Sequence, residues 1–198
     1  MKKFAKSEAF TGLEAAIVLI AFVVVAAVFS YVVLGAGFFT TQKAQQVVYS
    51  GVQQASSNII IIGEVYGDAS GTLNPPQVHA VYFTVGLAAG GSSVDFNKTV
   101  FTYQNRTILK TIDFASNILG NNGLQPADWQ WMIKTRQNDD GDAALERNEQ
   151  FTIQVNLSNT QGLPPSEDFT LTIRPDIGAA LPIHKSAPGG LTPMNVLY

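Results

Sequence analysis

The sequence predicts an α+β protein in which a long N-terminal hydrophobic α-helix is followed by an antiparallel β-sandwich. Two observations predict it: residues 15–34 carry no charge, and from Ile59 onward apolar and polar residues alternate. An uncharged helix of that length spans about 30 Å, the thickness of the hydrocarbon core of a bilayer. Strict alternation over a few residues is typical of half-buried strands.

The helix is expected to continue past the uncharged run. Glutamines interleave there with apolar residues at the spacing of one helical stripe, namely Ala44, Val47, Val48, Val52 and Ala55. We therefore predict a hydrophobic helix over residues 10–56. Gly35 and Gly37 kink this helix, let neighbouring helices approach closely, or only weaken the helix slightly.

The remaining residues, 57–198, are predicted to form the sandwich. The predicted strands are Ile59–Tyr66, Val78–Val85, Val94–Thr102, Thr107–Asp113, Trp129–Ile133, Phe151–Leu157 and Phe169–Ile173. Glycines and prolines separate them, among them Pro75, Gly90, Gly120, Gly123 and Pro164. Short strands with frequent turn signals and no helical pattern between them favour an antiparallel sandwich.

Composition narrows the function. The chain has 198 residues, a net charge of −3 and no cysteine. So small a charge gives no reason to expect nucleic acid as a partner, and the missing thiols exclude disulfides and thiolate metal sites. Neither His79 nor His184 belongs to a catalytic motif, so we expect no enzyme activity and no catalytic residue.

The N-terminus admits three interpretations. A secretory signal would end its apolar stretch after about 7–15 residues at a small-residue cleavage site, whereas this stretch continues to Leu34. A single-pass anchor would keep the lysines of the leader on the cytoplasmic side, but it leaves Glu14 at the mouth of the helix without a role. The third interpretation is a precursor that is cut and later extracted from the membrane.

The segment from Lys2 to Glu14 resembles the processing site of type IV pilin-like precursors. That resemblance implies that a prepilin-type signal peptidase removes residues 1–9 by cutting between Ala9 and Phe10. Ala9 stands where the family often has glycine. The cut would make Glu14 the fifth residue of the mature chain. The resemblance implies that its carboxylate neutralises the Phe10 amino group of the same or a neighbouring subunit during assembly; the alternative is a simple carboxylate at the membrane interface.

The stretch from Thr11 to Phe22 and its continuation from Leu34 to Val48 are similar specifically to archaellin, the archaeal flagellin. This resemblance covers about the first quarter of the chain. It implies that the sandwich is immunoglobulin-like, that the helix forms the core of a helical homopolymer, and that related minor subunits are possible partners. It also implies an extracellular filament and partners in the export and motor machinery of the archaellum.

Three Asn-x-Ser/Thr sequences are candidate glycosylation sites, at Asn97, Asn105 and Asn156. Asn156 alternates with Ile153 and Val155, so its side chain is predicted to point outward and to be open to a glycan. The resemblance to exported archaeal polymers implies N-linked glycans at these positions.

Residues 138–149 have the spacing of a calcium-binding loop. Oxygen-bearing side chains stand at positions 1, 3, 5 and 12 of this segment, at Asn138, Asp140, Asp142 and Glu149. Ala143 occupies the position where such loops need glycine. The alternatives are a structural Ca²⁺ that stands in for missing disulfides and an acidic, solvated turn.

The sequence thus predicts a structural subunit of the archaeal motility filament, stored in the cytoplasmic membrane as a precursor and assembled through its helix. An adhesive pilin-like subunit is the alternative within the same superfamily. A membrane-tethered sandwich that binds an extracellular ligand is the alternative from a different class.

Overall fold

The computed structural model describes residues 4–56, 58–71, 75–115, 125–157 and 162–198, with side chains from Gly12 onward. It divides into two compact units, Met1–Ser50 and Gly51–Tyr198. The lysines at positions 2 and 3 and the predicted turn residues Gly120 and Gly123 lie outside the described residues.

The first unit consists of most of helix α1, which extends over Phe4–Ser56. The predicted continuation of the helix to Ser56 is confirmed. Gly35 and Gly37 are both helical, and a methyl group placed on either would meet no atom within 4 Å. In the single chain, therefore, these glycines do not interrupt the helix.

The second unit is a β-sandwich, as predicted. Its strands are β1 (Ile59–Asp68), β2 (Ala80–Leu87), β3 (Val94–Asp95), β4 (Val100–Gln104), β5 (Leu109–Phe114), β6 (Gln130–Gln137), β7 (Ala144–Leu145), β8 (Gln150–Asn156), β9 (Asp168–Arg174), β10 (Leu181–Ser186) and β11 (Met194–Val196). The predicted strand at Val94–Thr102 is divided by a 3-10 turn at Phe96–Lys98. Strands β7, β10 and β11 were not predicted.

Nine strands form one ladder in the order β10-β9-β4-β5-β6-β8-β2-β1-β11, and β3 pairs with β7 in a separate ribbon. Among the described strands, every pairing is antiparallel except that of β5 with β6, which is parallel and covers only two residue pairs. This pair joins one layer, β10-β9-β4-β5, to the other, β6-β8-β2-β1-β11. The predicted antiparallel sandwich is therefore confirmed, and its two layers meet at one short parallel pair.

The two ends of the ladder meet. The N–H of Ser186 at the end of β10 donates to the carbonyl of Tyr198 at 2.7 Å, and the N–H of Tyr198 donates back at 3.1 Å. The N–H of Leu197 donates to the carbonyl of Val65 on β1 at 2.9 Å. The residues after β11 therefore connect the first strand of the ladder to the last.

The core between the layers contains a cluster of aromatic rings among aliphatic side chains. Trp131 is 1% exposed, and its ring centroid lies 4.2 Å from that of Phe101 and 4.5 Å from that of Phe114. Phe96 packs edge-on against both Trp131 and Phe151. A cysteine-free domain thus draws its stability from closely packed apolar side chains.

Candidate functional sites

The surface of α1 is apolar and uncovered. Every described side chain from Gly12 to Ala55 is exposed, including Phe22 at 74% and Phe29 at 69%. The segment Gly12–Ala55 is long and apolar enough to cross a membrane, with a mean hydropathy of 3.0 in its most apolar stretch. Exposing an apolar surface of this size to water is unfavourable. The helix therefore requires a bilayer or other protein surfaces around it.

Two threonines in the middle of α1 make hydrogen bonds within the helix. The hydroxyl of Thr40 donates to the carbonyl of Ala36 at 2.8 Å, and that of Thr41 donates to Gly37 at 2.9 Å. Such bonds let hydroxyl side chains enter an apolar environment without leaving an unpaired donor. Between Glu14 and Lys43 the sequence has no charged residue.

The predicted processing site lies near the start of α1. Ala9 and Phe10 have helical backbone, but their side chains lie outside the described residues. Glu14 is exposed on the helix surface. The contact predicted between the Glu14 carboxylate and the Phe10 amino group therefore stays a prediction.

The loop between β6 and β7 gathers three carboxylates, from Asp139, Asp140 and Asp142, whose oxygen atoms lie within 4.8 Å of one another. The N–H of Asp142 donates to Asp140 Oδ1 at 3.2 Å, and the N–H of Ala144 donates to Asp142 Oδ1 at 2.7 Å. Gly141 has a φ of 104°, a left-handed conformation in which glycine is favoured. The backbone turn thus brings the three side chains together.

The group of carboxylates differs from the predicted ligand set at both ends. The Asn138 amide donates to the carbonyl of Asn148 at 3.1 Å. Glu149 is 5% exposed, and its Oε2 accepts from the N–H of Glu146 at 2.8 Å. Among the described residues, the carboxylate group therefore contains Asp139 in place of Glu149.

Sequence reasoning missed Asp139 and its partner Arg136. The Arg136 guanidinium lies 3.0 Å from Asp139 Oδ2, and it also donates to the carbonyl of Asp142. Asp139 Oδ1 is buried and has no hydrogen-bond partner in the described structure. The basic residue three positions before Asp139 was a sequence signal for this ion pair. Counting ligand positions along a calcium loop does not detect it.

Two predicted glycosylation sites are accessible. Asn97 is exposed on the 3-10 turn that follows β3, while Thr99 of the same motif is buried and donates to the carbonyl of Asp95 at 3.0 Å. Asn105 is half-buried in the turn between β4 and β5, and its Oδ1 accepts from the N–H of Thr107 at 3.1 Å. Both asparagines lie in turns, where an attached sugar does not disturb a strand ladder.

Asn156 lies on the outer face of β8, as predicted, but the prediction that it is open to a glycan is wrong. Asn156 is 6% exposed, and its amide donates to the carbonyl of Pro126 at 2.8 Å. The segment before β6 therefore covers the outer face of β8 at this position. A glycan on Asn156 would require this hydrogen bond to break. The third residue of its motif, Ser158, lies outside the described residues.

The two histidines lie apart in the fold. His79 Nε2 lies 3.8 Å from Asp68 Oδ2, and His184 Nδ1 lies 3.0 Å from the hydroxyl of Thr170 on the adjacent strand. Among the described residues, neither has a nucleophile and an orienting group arranged as in a hydrolytic triad.

The chain resembles known filament proteins over most of its length. The family model described as archaeal-type flagellin matches residues 9–185. A protein named probable flagellin 1 of Archaeoglobus fulgidus is 43% identical over 203 residues, which cover 98% of each chain. Probable flagellin 2 of the same organism is 44% identical over 92% of this chain and 91% of its own.

The fold also resembles a solved filament. The structure of the archaeal flagellum of Methanospirillum hungatei strain JF1 aligns with a TM-score of 0.71 and 32% identity, covering 94% of this chain and 99% of that one. The likeness therefore extends over both the helix and the sandwich.

Proposed function

Because this chain belongs to the archaeal-type flagellin family and is a structural subunit of the archaeal motility filament, a homopolymer at the cell surface, we propose how it reaches that filament. The precursor is held in the cytoplasmic membrane by α1, cut between Ala9 and Phe10 by a prepilin-type signal peptidase, and polymerised by packing α1 against other copies. The export and motor machinery of the archaellum assembles and turns the filament, and this subunit transmits the rotation passively.

The observation that carries this proposal is the uncovered apolar surface of α1 from Gly12 to Ala55. The same side chains suit a bilayer before assembly and a helix bundle after it, because both environments exclude water from them. Burial contributes about 25 cal/mol per Å² of apolar area, so packing along such a helix favours polymerisation strongly.

The proposal is tested by intact mass and N-terminal sequencing of protein sheared from cells, with electron microscopy of the same fraction. We expect a chain that starts at Phe10 and is present in helical filaments. An intact Met1 in the membrane fraction without filaments would contradict it and would favour the membrane-tethered binding module. Filaments that mediate attachment but not swimming would favour the adhesive pilin.

Glu14 is proposed to act in assembly rather than in cleavage. Glu14→Gln keeps the size of the side chain and removes the charge that would neutralise a neighbouring amino group. We expect the variant to be processed normally, to accumulate in the membrane and to yield few filaments. Lys43→Gln, which removes the next charge along α1 after Glu14, is the matched control. Equal filament yields from both variants would contradict this role.

N-linked glycans are proposed at Asn97 and Asn105, which are accessible, and not at Asn156. We expect mass spectrometry of peptides from wild-type filaments to show a mass added at one or both of these asparagines. Asn97→Gln and Asn105→Gln should each remove only the corresponding mass. Unmodified peptides at both positions would contradict this proposal.

A structural Ca²⁺ is proposed at the group of Asp139, Asp140 and Asp142. Hard oxygen ligands from adjacent carboxylates suit this ion, and the unpaired Oδ1 of Asp139 supports the proposal. Saturating Ca²⁺ should raise the unfolding temperature, since about 100 times the dissociation constant contributes about 2.7 kcal/mol. Asp140→Asn with Asp142→Asn should abolish the rise, whereas Glu146→Gln should leave it unchanged. No rise in the wild type would favour the acidic, solvated turn.

A further inference from the structure

We propose that the sandwich carries a second interface between subunits, in which the outer face of β1 in one copy docks on the outer face of β4 and β9 in its neighbour. The Glu64 carboxylate of the first copy would pair with the Arg174 guanidinium of the second. This inference rests on the filament role and concerns a surface distinct from α1.

The first surface, called the β1 face, consists of Ile60, Ile62, Glu64 and Tyr66. Its apolar side chains are 43%, 37% and 42% exposed in that order. Strand β11 pairs with β1 only at Tyr66–Asp68, so the described structure has no neighbouring strand beside Ile59–Ile62. A strand edge that is both unpaired and apolar favours contact with another chain.

The backbone of β1 presents Glu64 outward. The register of β1 on β2 shifts between Ile62 and Tyr66, and Gly63 within this bulge has a φ of 81°. Bulges of this kind redirect side chains away from the regular pleat. Glu64 is exposed and has no hydrogen bond or ion pair in the described part of the chain.

The second surface, called the β4 face, lies on the opposite layer and consists of Val100, Thr102, Leu109, Thr172 and Arg174. Val100 is 47% exposed and Leu109 is 71% exposed. Val100 stands directly opposite Arg174 in the ladder of β4 with β9, and beside them is a depression of about 210 Å³. The Arg174 side chain also has no partner among the described residues.

The two faces complement each other in charge. The β1 face carries Glu64 and the β4 face carries Arg174, and neither side chain has a partner among the described residues. Glu64 and Arg174 point away from the core on opposite layers, so they do not reach each other within one chain. Opposite charges at the two faces favour docking in one orientation.

The symmetry of a filament explains why two different faces are needed. Identical subunits in a helical polymer meet through heterologous contacts, in which one patch of a copy binds a different patch of the next. The sandwich has one apolar patch on each layer, with an unpaired acid on one and an unpaired base on the other. A second copy of this chain is therefore the partner that fits both.

Charge reversal tests the pairing in cells that make the filament. Glu64→Arg and Arg174→Glu should each lower the yield of sheared filaments about tenfold, because each places like charges at the interface. The double variant should restore the yield to within about twofold. Lys134→Glu, a reversal on β6 outside both faces, is the control and should have no effect. Unchanged yields from the single variants, or no restoration by the double variant, would overturn the pairing.

Disulfide trapping tests the docking independently, since the chain contains no cysteine. Ile62→Cys combined with Val100→Cys should give a ladder of multimers on a non-reducing gel of oxidised filaments. Ile62→Cys combined with Thr135→Cys, which is exposed on β6, should give monomers. Filaments without a ladder from the first pair would overturn the docking, whereas absence of filaments from the wild type would instead overturn the filament role.

Discussion

At the scale of single residues, the stability of the sandwich depends most on Trp131. Its ring contacts aromatic side chains from β4, from β5 and from the 3-10 turn after β3, so it joins both layers. Trp131→Ala would leave a cavity that these rings cannot fill, and we expect a loss of about 3–5 kcal/mol in the free energy of unfolding.

Urea unfolding of the full chain in mild detergent, followed through the fluorescence of Trp129, would measure this loss. Met194→Ala is the control, because Met194 is 54% exposed and should cost less than about 0.5 kcal/mol. Similar losses for the two variants would contradict the assignment of Trp131 to the centre of the core.

Tyr103 makes the sandwich sensitive to high pH. Burial and the nearby Glu167 raise the pKa of Tyr103 above its usual value, while a hydrogen bond with Asn105 opposes the shift. The folded state therefore keeps the phenol protonated after the unfolded chain has begun to ionise near pH 10. The stabilising contribution is complete below pH 10 and falls by about 1.4 kcal/mol per pH unit above it, until the folded state ionises as well.

We expect Tyr103→Phe to reduce the slope of stability against pH between about pH 10 and pH 12. Unfolding temperatures of the two proteins across this range would measure the difference. Tyr66→Phe, at an exposed position, should retain the wild-type slope. Equal slopes for Tyr103→Phe and the wild type would show that Tyr103 does not dominate this titration.

At the scale of elements, the segment at Gly162 requires a residue without a side chain. A methyl group at Gly162 would lie 2.7 Å from the carbonyl oxygen of Val78, and the backbone there is held by hydrogen bonds between Val78 and Leu163. We expect Gly162→Ala to cost about 1–3 kcal/mol, because backbone rather than a flexible side chain must move. Gly190→Ala, with no atom within 4 Å, is the matched control in thermal unfolding. Equal unfolding temperatures for the two variants would contradict the close approach.

Sequence periodicity predicted most elements but not their neighbours in space. The alternation in Phe151–Leu157 and Phe169–Ile173 identified β8 and β9 because in each strand the core-facing apolar residues alternate with polar ones. Strand β10 contains Pro182 and β11 has three residues, so neither carries enough alternation to be recognised. The parallel pairing of β5 with β6 depends on contacts between distant residues, and no local pattern encodes it.

The same distinction explains the errors at the candidate sites. Alternation correctly placed Asn156 on the face of β8 opposite Ile153, but it could not show that the segment containing Pro126 covers that face. Likewise, loop spacing identified Asp140 and Asp142. The geometry of the turn is what brings Asp139 next to them and places Arg136 against Asp139. Predicting a side chain's direction does not predict what lies above it.

At the scale of the whole molecule, α1 and the sandwich differ in how their apolar side chains are removed from water. The sandwich buries its apolar side chains within one chain, whereas α1 buries its own only in a membrane or a polymer. A charge in the middle of α1 should therefore impair assembly and leave the sandwich folded. We expect Val25→Asp to yield almost no filaments, because an unpaired carboxylate in an apolar core costs several kcal/mol.

Sheared-filament yield would measure this effect, with the unfolding of the sandwich as a check on its fold. Gln45→Asp, in the half of the helix where polar residues interleave, should be tolerated better. Filaments of normal yield from Val25→Asp would show that this part of α1 is not enclosed by other copies.

The closure of the ladder through Ser186 and Tyr198 determines how the sandwich responds to force. An open sheet can be peeled from an edge, one strand at a time, whereas a closed ladder must first rupture somewhere along its circumference. The shortest joins are the two-residue pairing of β5 with β6 and the single residue pair of Ser186 with Tyr198. In single-molecule pulling we expect these two joins to break before the longer antiparallel pairs, so that a subunit under torsion opens locally and recloses while the rest of the sandwich stays folded.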